Sequence, residues 1–563
     1  YHGSREDCGG SKLYCTDTGA CNYDELGECI LPEENYNCDG SWIGDYCPPE
    51  TEGACNPGSR ANCWFPGQKD DRTAERNDRV DCDGNPRYCT DPAACNFNEM
   101  GDCSYHGSRE DCGGSKLYCT DTTAFNYNQL GTCDLDATIE KVFGNSITYD
   151  SSSSKTYTLT SDFEINEITH FPIPIEDGAT FDGNNKTITY SGSSGWQGLF
   201  LPVSGTSTTS TSFIIKNIKL ELSADIASKY GGIVSYYYLD SDTNVSYCNI
   251  DIENCQISGS GTILEYSGGI AGNAFGRNSE CNIKNCSNSI GVTGDYSGGI
   301  CGRNAGNIAS TLTIESCSNS GKIEGELAGG ICGQRLGQGN SDSSNINIKY
   351  CYNTGNISSN TGGGIIGGGD NSNYTVGTIE YCWNTGSIGT DNIQYDEGAG
   401  GICGQYCKGT SDSNLIIKYC YNTGSIDKNY CSGICARDSV HVTIFNCYNT
   451  GNGATRPAQA GIIGRDADNA RVYNCWSSGD GFDGDYSGGI AGLTTTSNSV
   501  DIYNCYYIGD KDAVGSNVTA DNVQTSTSSE GWNYTKAKET IGTSVLDGYE
   551  LRWHIPGYTD QWA

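Results

Sequence analysis

Several kinds of protein are excluded by what this chain lacks. No run of about 18 apolar residues occurs, so no helix of the sequence could span a bilayer. No window places apolar residues at helical spacing over three turns, which argues against a helical bundle. Cationic residues are scarce, 33 Lys and Arg against 69 Asp and Glu, for a formal charge of −36. That balance argues against nucleic acid and anionic membrane as partners and favours solubility. Histidine appears five times, at His2, His106, His170, His441 and His554, too scattered for a ligand cluster. Only one Met and twelve Pro occur. The chain opens on Tyr1 without a leader segment, so it reads as a mature form or a piece of something longer.

What is abundant is Gly, 77 residues, and Cys, 32 residues. So many cysteines point to an oxidising, extracellular compartment. A length of 563 residues leads us to expect three or four domains.

One phrase recurs nine times between about residues 233 and 505. A Gly-Gly-Ile element places Ile at 233, 270, 300, 331, 365, 402, 434, 462 and 490, and a cysteine follows in step at Cys255, Cys286, Cys317, Cys351, Cys382, Cys420, Cys447, Cys475 and Cys505. A repeat of roughly fixed period with drifting insertions is the mark of a solenoid. The apolar pieces are short, β-branched and bounded by Gly and Asn, so the rungs must be strands. We therefore expect an all-β fold, a right-handed parallel β-helix preceded by small disulfide-rich modules. Asn254, Asn285, Asn446, Asn474 and Asn504, each just before the cysteine, suit corners in the left-handed conformation.

Four segments follow from this reading. Residues 1–136 are tandem cysteine-rich modules, with fifteen cysteines and a motif that reads Cys15-Thr-Asp-Thr-Gly-Ala-Cys21-Asn-Tyr and returns at Cys89 and Cys119. Residues 1–18 and 105–122 are identical. No copy shows Cys-x-x-Cys knuckles, so disulfides are expected there rather than zinc. The run Asp81-Cys-Asp83-Gly-Asn85 has a faint likeness to a calcium loop but lacks its bidentate Glu. Residues 137–212 read as the start and N-terminal cap of the solenoid, 213–510 as its repeats and 511–563 as a C-terminal cap. That last segment carries Trp532, Tyr534, Tyr549, Trp553 and Trp562 to cover the final rung.

Phe181-Asp-Gly-Asn-Asn-Lys-Thr-Ile, Gly198-Leu-Phe, Ile215-Lys-Asn-Ile and the Gly-Gly-Ile-x-Gly repeats resemble surface β-helix proteins with GLUG-type repeats, over roughly residues 155–510. The resemblance implies a right-handed parallel β-helix on exported, adhesive or fibrous proteins. The Ala-Cys-Asn-Tyr modules are similar to short cysteine repeats of large extracellular proteins of marine microbes and protists. Together the two parts are similar to subunits of tubular flagellar hairs, or mastigonemes. The implied function is an extracellular structural subunit of a filamentous appendage. A surface adhesin or glycan-binding protein is the alternative, and a polysaccharide-degrading enzyme a more remote one.

An enzyme on this fold would need paired carboxylates on neighbouring rungs. The nearest thing is Arg437-Asp438 and Arg465-Asp466, read as alternating charges at a solvated turn, and Asp295 and Asp485 read as turn residues. We expect no catalytic residue, no metal and no cofactor beyond N-linked glycans. The partners expected are copies of the chain in a filament, then other extracellular proteins or glycans.

Two surface features carry that expectation. The residue after the ladder cysteine is aromatic on six successive rungs, Tyr352, Trp383, Tyr421, Tyr448, Trp476 and Tyr506, against Gln256, Ser287 and Ser318 earlier. If the cysteine points inward its neighbour points outward, so a binding stripe is expected. A corner that shifts the parity would instead pack these rings inside. Seven Asn-x-Ser/Thr sequons, at Asn185, Asn244, Asn285, Asn356, Asn373, Asn517 and Asn533, are candidate glycosylation sites.

The solenoid also holds eight cysteines outside the ladder. At the variable position of Gly-Gly-Ile-x-Gly, Cys appears only on successive rungs, as Cys301 with Cys332 and Cys403 with Cys435. A rung spacing of about 4.8 Å lies inside the Cα range of a disulfide, so bridges 301–332 and 403–435 are expected. The pairs Cys407–Cys431 and Cys248–Cys281 are expected on similar grounds. The nine ladder cysteines give no pairwise signal and are expected reduced, lining the core.

Overall fold

A computed structural model describes residues 137–526, apart from 151–154, 175, 207, 237–246, 338–343, 370–376, 390–397, 410–414, 455, 483, 494–499, 510–511, 516–517 and 522. The chain divides into two compact units, Tyr1–Leu135 and Asp136–Ala563, and every described residue belongs to the second. The cysteine modules and the aromatic tail lie outside the described residues.

The described chain is a parallel β-solenoid of about nine turns. Among the described residues one sheet has fourteen strands and a second has thirteen, stacked almost wholly in chain order. The first sheet takes three- to six-residue strands such as Cys248–Glu253, Thr311–Glu315 and Leu415–Lys418. Their burial alternates residue by residue, because a pleated strand sends successive side chains to opposite faces. Ile252, Ile283, Ile314, Ile348, Ile379, Ile417 and Ile444 stand in register down its inner face and are fully buried. Each such side chain contributes about 1.5–3 kcal/mol by leaving water.

The corner to the second sheet is one residue in the left-handed region, just before each ladder cysteine. Asn254, Asn285, Asn446, Asn474 and Asn504 have φ between 51° and 54°, as expected, and Ser316, Tyr350, Tyr381 and Tyr419 adopt the same conformation at 54–56°. Tyrosine is an unusual residue there. Its stacking on the rung below (Tyr350 on Tyr381 at 5.1 Å, Tyr381 on Tyr419 at 4.8 Å) offsets part of the strain.

Past the corner, short strands such as Tyr352–Asn353 and Trp383–Asn384 build the second sheet. Their second residue is a buried asparagine on six rungs: Asn288, Asn319, Asn353, Asn384, Asn422 and Asn449. Each amide donates to the next asparagine's oxygen at 2.7–2.8 Å and to the carbonyl two residues on, and the series ends on Ser477. The buried donors are thereby satisfied, which makes a polar column tolerable in the core. The glycine of Asn-Thr-Gly lies where the rungs crowd. A Cβ on Gly355 would sit 2.0 Å from the Gly321 carbonyl oxygen.

Residues 137–212 open the solenoid with a cap followed by stacked rungs. Stacked rungs begin at Thr156–Leu159, which pairs parallel with Ala179–Asp182, well ahead of residue 213. These first rungs fill their interior with Tyr157, Phe181, Phe200 and Phe213 and so need neither the cysteine nor the Gly-Gly-Ile signature. The cap itself is a five-residue helix, Ile139–Phe143, with the antiparallel strand Ile147–Asp150. Thr138 caps the helix, and Phe143 packs on Phe163 and Phe181, at 4.7 and 5.2 Å between ring centres.

Candidate functional site

The six aromatic residues after the ladder cysteines form one continuous column. Register pairs each with the next, and the rings lie flat on one another: Tyr352 on Trp383 at 4.6 Å, Trp383 on Tyr421 at 5.8 Å, Tyr421 on Tyr448 at 4.8 Å and Tyr448 on Trp476 at 5.0 Å, with interplanar angles of 5–10°. They stand apart from the main core. Tyr448, Trp476, Tyr506 and Ile508 form a hydrophobic cluster of their own, against which Tyr421 packs. The column is not evenly open. Tyr352, Trp383 and Tyr421 are half-buried, whereas Tyr448, Trp476 and Tyr506 are buried. Burial pushes the Tyr421 and Tyr448 hydroxyls above the usual phenol range.

A second outward column was missed in the sequence, although reading two residues before each ladder cysteine displays it. Asp182, Lys216, Glu253, Lys284, Glu315, Lys349, Glu380 and Lys418 alternate in sign, each in register with the next. Lys216 pairs with Asp182 at 3.5 Å, Lys349 with Glu315 at 3.5 Å and Lys418 with Glu380 at 2.9 Å. A slipped rung would set like charge against like, so the column helps to fix register. It ends at Phe445, Tyr473 and Tyr503.

The Arg437 and Arg465 turns differ from expectation. They form a network, with Arg437 3.5 Å and Arg465 3.0 Å from Asp466, and Arg437 2.9 Å from Asp438. The turn is only partly solvated: Asp438, Arg465 and Asp466 are half-buried and Tyr486 is exposed. Arg437 is buried, and the guanidinium groups lie over Tyr430 and Tyr486, at 5.0 Å for Arg437 on Tyr430 and 5.3 Å for Arg465 on Tyr486. Aromatic faces take the place of water around the planar cations. The same burial pushes the Asp438 carboxyl up against the opposing pull of Arg437.

Further toward the N-terminus, Tyr266 and Tyr296 stack at 5.3 Å with Arg303 4.9 Å above the first ring. Together with Leu327, Gln334, Arg335 and Tyr406 they line a cleft of about 280 Å³. Asp295 lies at this turn, where its carboxylate accepts from the Glu326 amide at 2.8 Å.

All seventeen solenoid cysteines are buried free thiols, so none of the four expected bridges is closed. Cys301 and Cys332 do stand in register, as do Cys403 and Cys435. The obstacle is direction. Stacked residues project parallel Cβ bonds, which leaves Cβ atoms about 4.8 Å apart, beyond the roughly 3.5–4.5 Å that a disulfide requires. The Cys281 thiol donates to the Cys248 carbonyl at 3.6 Å. Cys407 turns away from its expected partner and joins Cys403 and Cys435, while Cys431 accepts from the Ala399 amide at 3.3 Å.

The nine ladder thiols line the core, most donating to a carbonyl of the preceding rung at 3.6–3.9 Å. Burial pushes the thiols of Cys286, Cys351, Cys447 and Cys505 well up.

Of the sequons, Asn185 and Asn285 are exposed corner residues in the left-handed conformation, and Asn356 is exposed. Asn244, Asn373, Asn517 and Asn533 lie outside the described residues. Comparison with known protein families, with curated proteins and with solved structures finds no match to this chain.

Proposed function

We propose that this chain is an extracellular structural subunit, a stiff rod that assembles side by side or end to end with copies of itself into a mastigoneme-like filament. The observation that supports the reading is the in-register aromatic column from Tyr352 to Tyr506, set apart from the main core and half-open at Tyr352, Trp383 and Tyr421. The ring faces are taken up by one another, so a partner would meet the half-open edges of Tyr352, Trp383 and Tyr421, an apolar strip repeated rung by rung. Exposed sequons at Asn185, Asn285 and Asn356 suit a secreted chain whose corners carry N-linked glycans. In this reading the rod is not an enzyme. Asp438 and Asp466 are held by Arg437 and Arg465, an arrangement that suits a structural network more than general acid and base.

One observation favours the second reading, an adhesin or glycan-binding protein. The cleft of Tyr266, Tyr296, Arg303 and Gln334 combines ring faces with polar hydrogen-bonding groups, the equipment for a sugar. The two readings separate in solution. Sedimentation of the full chain at micromolar concentration should show large assemblies that Trp383→Ser and Tyr421→Ser disperse. A monomer that is unchanged by those substitutions and binds acidic polysaccharide would overturn the filament.

A further inference from the structure

Cys403, Cys407 and Cys435 bring their three sulfurs within 4.8 Å of one another in the interior, fully buried. The chain makes this cluster from two adjacent rungs. Cys403 and Cys435 are bridged in register, and Lys408 and Val440 are bridged five residues later, so the rungs stay in step between. Cys407 and Ser439 therefore occupy the same position of their respective rungs. The four side chains form a square of two rungs by two positions, offering three sulfurs and one hydroxyl oxygen. The Ser439 Oγ lies 3.1 Å from the Cys435 sulfur and donates its own proton to the Ala436 carbonyl at 2.8 Å, which leaves its lone pairs to accept on the sulfur side.

We propose that these four side chains are a structural zinc site that clamps the two rungs together. Zinc takes four ligands in a tetrahedron, with thiolates at about 2.3 Å, so bound sulfurs stand about 3.8 Å apart; the Ser439 hydroxyl would stand where a carboxylate oxygen binds at about 2.0–2.2 Å in other sites. Reaching that separation from the present cluster asks for movements of no more than about 1 Å. The spacing Cys403-x₃-Cys407 falls within the usual range of paired zinc cysteines. The rungs on either side close the site with apolar groups, Ile366 before it and Ile463 and Ala467 after it. Binding balances as three thiols losing three protons to solvent while Zn²⁺ enters, with the Ser439 hydroxyl remaining protonated. A disulfide would use two of the three sulfurs and leave the third thiol buried beside Ser439.

The same ladder contains its own control. Cys301 and Cys332 stack in register like Cys403 and Cys435, but the residues four positions on are Ala305 and Leu336. Two donors do not make a zinc site.

The test is zinc content of the purified full chain after reduction, zinc loading and dialysis, compared among variants. Cys407→Ala should carry one zinc fewer than the parent, and Cys332→Ala the same number. X-ray absorption of the parent minus that of Cys407→Ala should show three sulfurs near 2.3 Å and one oxygen near 2.0–2.2 Å. Should Cys407→Ala fail to fold, Ser439→Ala serves in its place, with zinc affinity expected to fall about tenfold or more. Equal zinc content in the parent, Cys407→Ala and Ser439→Ala would overturn the assignment. So would a parent that takes up no zinc and yields peptides disulfide-linked between two of the three cysteines.

Discussion

Between Cys286 and Cys447 the earlier and later rungs share an interior and differ in their exterior. From Cys286 to Cys447 the inward columns barely change: a thiol, an asparagine two residues later and a β-branched residue three before, each buried on every rung. Outside, the chain switches character. Gln256, Ser287 and Ser318 give way to the aromatic column from Tyr352, and the alternating charges of Asp182 to Lys418 give way to Phe445, Tyr473 and Tyr503. Even the paired cysteines follow the division, apolar neighbours beside Cys301 and Cys332 and further donors beside Cys403 and Cys435. The inside is held constant because each rung is the template for the next. The outside also stacks rung on rung, by charge and then by ring, but its residue types change along the solenoid.

The largest effect should test that common interior. Asn384→Ala leaves the Asn353 amide without its acceptor and the Asn422 oxygen without its donor, at a cost of about 3 kcal/mol in urea unfolding. Asn319→Ala in the N-terminal rungs should cost about the same, and a much smaller loss there would break the claim of one uniform core.

The second test uses pH. Burial raises the Cys431 thiol from 9.0 to about 11. The unfolded chain ionises this group first, so its contribution is complete below pH 9 and lost as pH rises to about 11. A shift of that size corresponds to about 2–3 kcal/mol. Cys431→Ser should flatten the decline in stability between pH 9 and 11, and an unchanged slope would show that Cys431 is ionised in the fold.

Two smaller effects address the exteriors. Tyr421→Ser removes a ring stacked on both sides and should cost about 1–2 kcal/mol, with loss of self-association as its main phenotype. Glu315→Lys places like charge between Lys284 and Lys349 and should cost about 0.5–1 kcal/mol at low salt, fading as salt rises. Salt sensitivity in Tyr421→Ser, or none in Glu315→Lys, would erase the distinction between an aromatic and an ionic side.

Much of this architecture was legible in order along the chain. The period of the Gly-Gly-Ile element and the cysteine in step with it gave the rungs, and asparagine before that cysteine marked the left-handed corner. Alternation then sent the ladder thiols inward and the rings off the main core, because a strand has a period of two, but it did not show that Tyr448, Trp476 and Tyr506 are buried. Neighbouring rungs repeat the same residue types, so stacking partners could be named by counting.

Counting does not give direction or depth. The expected bridges needed Cβ atoms that converge, and stacked strands keep them parallel. Cys407 lies four residues after Cys403 and Cys431 four before Cys435, yet only the path of the turn brings Cys407 to the other two sulfurs. The Arg437 turn looked solvated because its residues are charged, and only packing against Tyr430 shows Arg437 buried. A one-dimensional repeat determines which rungs touch, because each stacks on its neighbour. Which side chains meet within a rung depends on where the chain turns, and that was decided only in three dimensions.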